Sequence, residues 1–262
     1  MRQYIMIKAG IVRSRFPSIL AVFFLFPFSL MGMTHPPLKK IDTVYFNANS
    51  IKEFKESEQL IINSMNSFPN HTGLTWRLAR NYFRIAKRTL HEEEKIKLFK
   101  QCIKNAEKGI SLDKNSAENI YFFGLCLGNL SLQKGILSSL SNRDTLRKTM
   151  EKAVEIDPTV EHAGPHRFLG VFYSVLPFFL GGDSEKAMHH LESATNLAPD
   201  HADNYFYLGE AYFKKELYLK SNQALERFLE LAKTVKNDPD LPEQIEEAND
   251  LLRRIKIYQN ND

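Results

Sequence analysis

Two groups of residues in this chain could do chemistry: histidines spaced to share a ligand, and arginines set among aromatic side chains. His162 and His166 are four apart, a spacing that puts two imidazoles on one helix face. Gly164-Pro165 lies between them, so His162 is expected to precede the helix. No partner carboxylate or third ligand in the motif completes a metal set. His189 and His190 are consecutive and point to different sides of their helix, with His190 expected to face solvent. Glu92-Glu93-Glu94 reads as a solvated helix face, and Gly181-Gly182-Asp183 as a turn. The chain has no glycine-rich phosphate loop, nucleophile elbow or two-histidine zinc motif. A non-enzymatic protein without cofactor or metal is expected. Only the His162/His166 pair could seed a catalytic site.

The arginines take their meaning from the elements that position them. A large residue, then Leu or Phe with Gly or Ala, then an aromatic residue or Leu, recurs four times. It reads Thr75–Leu78-Ala79–Tyr82, Ile120–Phe123-Gly124–Leu127, His166–Leu169-Gly170–Tyr173 and Tyr205–Leu208-Gly209–Tyr212. This is the first-helix half of a tetratricopeptide repeat, in which a small residue lets a second helix cross closely. The second-helix half follows in register: Cys102, Ala106 and Gly109; Leu146, Met150 and Ala153 before Pro158; Ala187, Leu191 and Ala194 before Pro199. The expected fold is an all-α, tetratricopeptide-like solenoid of about four repeats. Ser50–Asn66 reads as an N-terminal capping helix, Leu241–Tyr258 as a C-terminal one, and Lys236–Asp240 as the loop before it.

The small residues Ala79, Gly124, Gly170 and Gly209 are 45, 46 and 39 apart, more than the roughly 34 of a plain repeat. The extra residues fall within repeats, over Phe83–Lys100, Gly128–Thr145 and Ser174–Lys186. The second insert carries Leu130, Leu132, Ile136, Leu137 and Leu140, apolar enough to pack. The third carries Leu176-Pro177-Phe178-Phe179-Leu180, with Asp183 or Ser184 as N-cap of the next helix. Such inserts suggest lobes that cover something.

In a solenoid of this kind the first helices line the concave face. The expected lining is Trp76, Arg80 and Phe83; Tyr121 and Leu125; Arg167, Val171 and Ser174; and Phe206, Glu210 and Phe213. Two readings stand. The inserts bury these positions as ordinary core, or they enclose a largely apolar cavity in which Arg80 or Arg167 meets one anion.

Charge sets the class of partner. The chain is +4, and residues 1–33 carry Arg2, Lys8, Arg13 and Arg15 with no acidic residue, so the remainder is near 4 − 4 = 0. Nucleic-acid binding therefore loses its compositional support. The basic stretch followed by the apolar run Phe16–Met33 reads first as a cleaved export signal and second as a membrane anchor, leaving 34–262 as a single helical domain. Cys102 and Cys126 read as small buried side chains, with a disulfide open to them in an oxidising envelope.

Several segments carry a family resemblance over roughly residues 50–235. They are Trp76–Arg80, Ser116-Ala117-Glu118 with Phe123-Gly124, Gly164–Gly170, Leu176-Pro177 with Gly181–Ala187, and Leu197–Pro199. Together they resemble the T-component of tripartite ATP-independent periplasmic (TRAP) transporters. That resemblance implies a periplasmic trimer with a hydrophobic cleft in each subunit, docking a solute-receptor subunit and binding or passing a small apolar organic acid. The expected cysteine for lipid attachment after the leader is missing. A more distant resemblance is to eukaryotic microtubule-dynamics regulators with similar repeats. The rival function is a repeat scaffold that binds proteins in the cell envelope, with no small ligand.

Overall fold

The computed structural model describes residues 35–236 and 238–259. Among them there are eleven α-helices and no strand. They are α1 (Leu38–Asn47), α2 (Ile51–Ser67), α3 (Thr72–Arg88), α4 (Glu92–Leu112), α5 (Ala117–Lys134), α6 (Ile136–Ile156), α7 (Val160–Val175), α8 (Ser184–Leu197), α9 (Ala202–Lys214), α10 (Tyr218–Ala232) and α11 (Leu241–Gln259). The leader reading of residues 1–33 lies outside the described residues. No described helix is long and apolar enough to cross a membrane.

The four first-helix motifs and the helices that follow them become the hairpins α3/α4, α5/α6, α7/α8 and α9/α10. Each first helix also touches the next first helix, which is how a tetratricopeptide-like solenoid stacks. The close approach that the motif demands is visible at Gly209. A methyl group there would sit 2.6 Å from Leu225 Cδ2 on α10, and Ser221 Oγ donates to the Gly209 carbonyl at 2.8 Å. Leu74, Ile85, Phe99, Phe122, Met150, Leu169, Leu191, Leu225 and Phe228 fill the seams and are essentially inaccessible to solvent. Each contributes about 1.5–3 kcal/mol by leaving water. Cys102 and Cys126 are both fully buried and form a disulfide that ties α4 to α5.

Local signals fix the helix ends. Ser50 and Glu53 form a capping box at α2, and the Asp183 carboxylate accepts from the Glu185 and Lys186 amides at the start of α8. The N-terminal cap is a pair of helices, not the single one expected. α1 is only ten residues long, carries no repeat motif, and packs Ile41 and Tyr45 into the core.

The inserts meet one another locally, where Arg143 Nη1 of α6 donates to the Leu180 carbonyl at 3.1 Å. They lengthen the hairpins, so that α5 and α6 meet at Gly135, whose φ of +93° turns the chain. Leu130 is buried, but Leu132, Ile136 and Leu137 are 70%, 78% and 84% exposed, and Phe178 and Phe179 in the short 3-10 turn Phe178–Leu180 are 91% and 82% exposed. The expectation that the second insert packs holds for Leu130 and, half-buried, for Leu140 on its two arms but not for its tip, because a longer hairpin carries the tip beyond the neighbouring repeats.

Candidate functional site

The inner stripe of α3, α5, α7 and α9 is a network of charges that largely satisfy one another. Arg80 is 4% exposed, with Nη2 at 2.8 Å from Asp42 Oδ1, Nη1 at 3.5 Å from Glu161 Oε1, and its guanidinium 3.7 Å from the centre of the Tyr45 ring. Arg77 adds a two-pronged pair to Asp42, at 2.9 and 2.6 Å. Burial opposes the charge on Asp42, but the hydrogen bonds and charges of Arg77 and Arg80 outweigh it and hold the carboxyl below the ordinary carboxylate range. Arg80 is therefore paired through both Nη atoms to α1 and α7, and its buried Nε has no hydrogen-bond partner.

Arg167 is committed too. Its Nη1 donates to Asn204 Oδ1 at 2.7 Å and to the His162 carbonyl at 3.2 Å, and Asn204 Nδ2 reaches the Ala194 carbonyl at 2.9 Å. These bonds pin an unusual stretch of backbone. Glu161, His162 and Ala163 have φ of +47°, +59° and +60°, so the regular part of α7 begins at Gly164-Pro165, as the sequence predicted for His162. Gly164 is required there because a methyl group would sit 2.6 Å from the Tyr121 hydroxyl.

The histidines separate into two pairs. The His162 ring stacks on His201 with centres 4.8 Å apart, while His166 Nδ1 lies 3.0 Å from His190 Nδ1. His190 is half-buried and stacked on Tyr173 instead of facing solvent. Burial first, then the charges of His166 and His189, lower its pKa to about 4. Burial also lowers His166 and His201. Burial opposes ionisation of Asp203, but the His201 hydrogen bond and the Arg167 charge prevail and hold it at about 2. Among the described residues no group of three or more His, Cys, Asp or Glu could hold a metal ion.

The aromatic positions are largely structural. Trp76 stacks on Phe122 with centres 6.3 Å apart, under the guanidinium of Arg77. Phe83 and Leu125 pack half-buried against the core, and Val171 is half-buried on α7. Tyr121 is 4% exposed, and burial pushes its hydroxyl up to about 12. Phe206 is 3% exposed and sits 5.2 Å, centre to centre, from Phe228. Phe213 lies against Tyr218 and Tyr258, with Arg254 of α11 over its ring. Glu210 shares its surroundings with Glu247 of α11; burial, then that second carboxylate, pushes it up to about 7. Thus Arg80, Tyr121 and Arg167 come together on the inner stripe, whereas Phe206, Glu210 and Phe213 belong to the contact with α10 and α11. A cleft of about 420 Å³ exists elsewhere, at the α7–α8 turn, lined by Tyr173, Leu176, Phe178, Asp183, Lys214 and Lys215. Of the eleven expected lining residues it includes only Ser174.

What the C-terminal segment does was not legible in the sequence. The loop before α11 reaches back to α3, where Arg84 Nη1 meets Asp238 Oδ2 at 3.2 Å and Lys87 Nζ meets Asp240 Oδ2 at 2.8 Å. It is this loop, not an insert, that bridges the first repeat and the last.

Fold and inner surface together define a tetratricopeptide-like helical-repeat protein. The model of the family described as regulator of microtubule dynamics protein 1-3 matches residues 38–175, more than half of the chain, and the chain belongs to that family. Regulator of microtubule dynamics protein 1 of Bos taurus is 24% identical over 193 residues, covering 67% of this chain and 60% of that protein. Regulator of microtubule dynamics protein 3 of Xenopus laevis is 26% identical over 121 residues, covering 46% of this chain and 26% of that protein. The chain thus spans about 60% or less of these relatives. Among solved structures, a thermophilic TPR protein of Thermus thermophilus superposes with a TM-score of 0.60 at 17% identity, over 81% of this chain and 96% of that one. PilW, a type IV pilus biogenesis factor, gives 0.54 at 11% identity, over 86% of this chain and 91% of that one. These likenesses show the fold. Of the two resemblances read from the sequence, the comparisons support the more distant one and lend nothing to the transporter component.

Proposed function

We propose that this chain is a non-enzymatic adaptor whose inner surface holds a segment of a protein partner. The observation that carries the reading is the inner stripe itself. Its buried charges are paired within the protein and support the scaffold, while Arg84 and Lys87 remain partly exposed at 37% and 28%. A paired, rigid stripe with a few accessible charges suits recognition of a polar chain better than shelter of an apolar acid. The relatives are named as regulators of microtubule dynamics, but for this chain the reading is limited to a protein client in its own compartment.

A transporter component docking a solute receptor and passing a small acid would draw on Gly164-Pro165-His166-Arg167 and Gly181-Gly182-Asp183. In this chain those segments have structural work: clearance for Tyr121, a hold on the His162 carbonyl, and the cap of α8. The buried Cys102–Cys126 disulfide, with the basic and then apolar pattern of residues 1–33, supports an oxidising compartment.

The test is a photo-crosslinking amino acid placed at Val171 on the inner stripe and, separately, at the solvent-facing positions Lys104 and Lys152. The adaptor reading expects one defined protein adduct from the inner position that the outer positions do not give. The same adducts from all three positions, or none from Val171, would refute it.

A further inference from the structure

Arg84 and Lys87 are one turn apart on α3, so their side chains share a face. Both are occupied by carboxylates from a loop about 150 residues further along the chain. Arg84 is held in place from the other side, because its Nε donates to the Tyr45 hydroxyl at 3.1 Å.

The loop does not need these contacts for its own shape. Asp238 Oδ1 accepts the Asp240 amide at 3.0 Å, and the main-chain oxygen of Asp240 accepts the Gln244 amide at 3.1 Å, starting α11. The remaining oxygens, Asp238 Oδ2 and Asp240 Oδ2, are the ones that reach α3. Both acidic side chains are also partly exposed, at 21% and 48%. Ion pairs so placed contribute about 0–1 kcal/mol each. By contrast, α11 is anchored by Ala248, Leu251 and Ile255, all buried. The loop can therefore lift from α3 while α11 stays docked.

We propose that Arg84 and Lys87 form a docking site for an acidic segment of a protein partner, and that Asp238 and Asp240 are the chain's own occupant of that site, displaced when the partner binds. The pairing defines the partner's chemistry: two carboxylates in an acidic-x-acidic arrangement, like Asp238-Pro239-Asp240 itself. The site deepens the adaptor reading and rests on it. Exchange of like for like keeps the cations neutralised in both states, so the switch never leaves them unpaired.

The experiment uses the full chain and a fluorescein-labelled octaglutamate peptide, with binding read by anisotropy at low salt. Asp238→Asn/Asp240→Asn should bind about 5- to 10-fold more tightly than the unaltered protein, since the internal competitor is gone. Arg84→Gln/Lys87→Gln should bind about tenfold more weakly, or not at all, with an unchanged circular dichroism spectrum. Arg84→Lys, which keeps the charge, separates loss of the site from loss of the fold and should restore part of the binding. Two results would overturn the proposal: no gain in the double Asn variant, or affinity indifferent to Arg84 and Lys87. If either occurs while the Val171 adduct persists, the acidic site is wrong and the adaptor reading stands. Loss of the adduct removes both.

Discussion

Gly209→Ala puts the packing argument at risk most sharply. The new methyl would lie 2.6 Å from Leu225 Cδ2 and 2.7 Å from Leu225 Cγ, where carbon atoms ordinarily rest at about 3.5–4.0 Å. Leu225 is fully buried, so relief requires a strained rotamer or a shift of α10, at a cost of about 1–3 kcal/mol. Alanine recovers about 1 kcal/mol of helix propensity, which leaves a net loss of about 1 kcal/mol. Leu225→Ala alone should cost about 2–5 kcal/mol by opening a cavity. In that background the clash is gone and only the propensity gain survives, so Gly209→Ala should then stabilise by about 1 kcal/mol. The sign reversal is the signature. Urea denaturation of the four proteins of this cycle, followed at 222 nm without reductant, gives the coupling directly. Equal effects of Gly209→Ala in both backgrounds would refute the close-crossing role of the glycine.

Three further outcomes follow from single sites. Glu216 sits at φ +59° in the turn after α9, where its amide bonds the Phe213 carbonyl and that of Leu217 bonds the Tyr212 carbonyl. Glu216→Gly should therefore raise stability by about 0.5–1 kcal/mol in a denaturant titration. Glu210 is neutral in the folded chain up to about pH 7 but ionises near 4.5 when unfolded, so stability is lost as pH rises from 4.5 through 7. Glu210→Gln should remove that loss and raise the melting temperature at pH 8 but not at pH 4. The His166–His190 pair works in the opposite direction: the unfolded chain takes up protons near 6.5, while folded His190 resists down to about 4. Stability should fall as pH drops from 6.5 to 4, and His190→Phe should flatten that slope in thermal melts.

The repeats were legible because their signal is local: a small residue, its large neighbours and the next helix's small stripe all lie within one hairpin. The Asp183 cap and the non-helical placement of His162 were legible for the same reason, resting on residues within a few positions. The inner surface was not. Arg80 and Arg167 look available until their partners are known, and those partners lie far along the chain, at Asp42, Glu161 and Asn204. Phe206 and Phe213 sit at the right offsets for a groove, yet the helices that follow cover them. The buried Asn119, which donates to Ser116 Oγ and the Thr72 carbonyl, stitches α5 to the start of α3. A polar residue in the first turn of a motif helix was its only trace in the sequence.

The return of the C-terminal loop to the first repeat is the structural claim on which the recognition account stands. It is tested most directly by zero-length carbodiimide coupling of the full chain, which can join Lys87 Nζ and the Asp240 carboxylate, 2.8 Å apart, as an amide. The coupling should join the two side chains with loss of water, seen as a cross-linked peptide pair in the digest, and the joined protein, freed of reagent, should lose octaglutamate binding. Failure of the link to form, or a linked protein that still binds the peptide in full, would contradict the account.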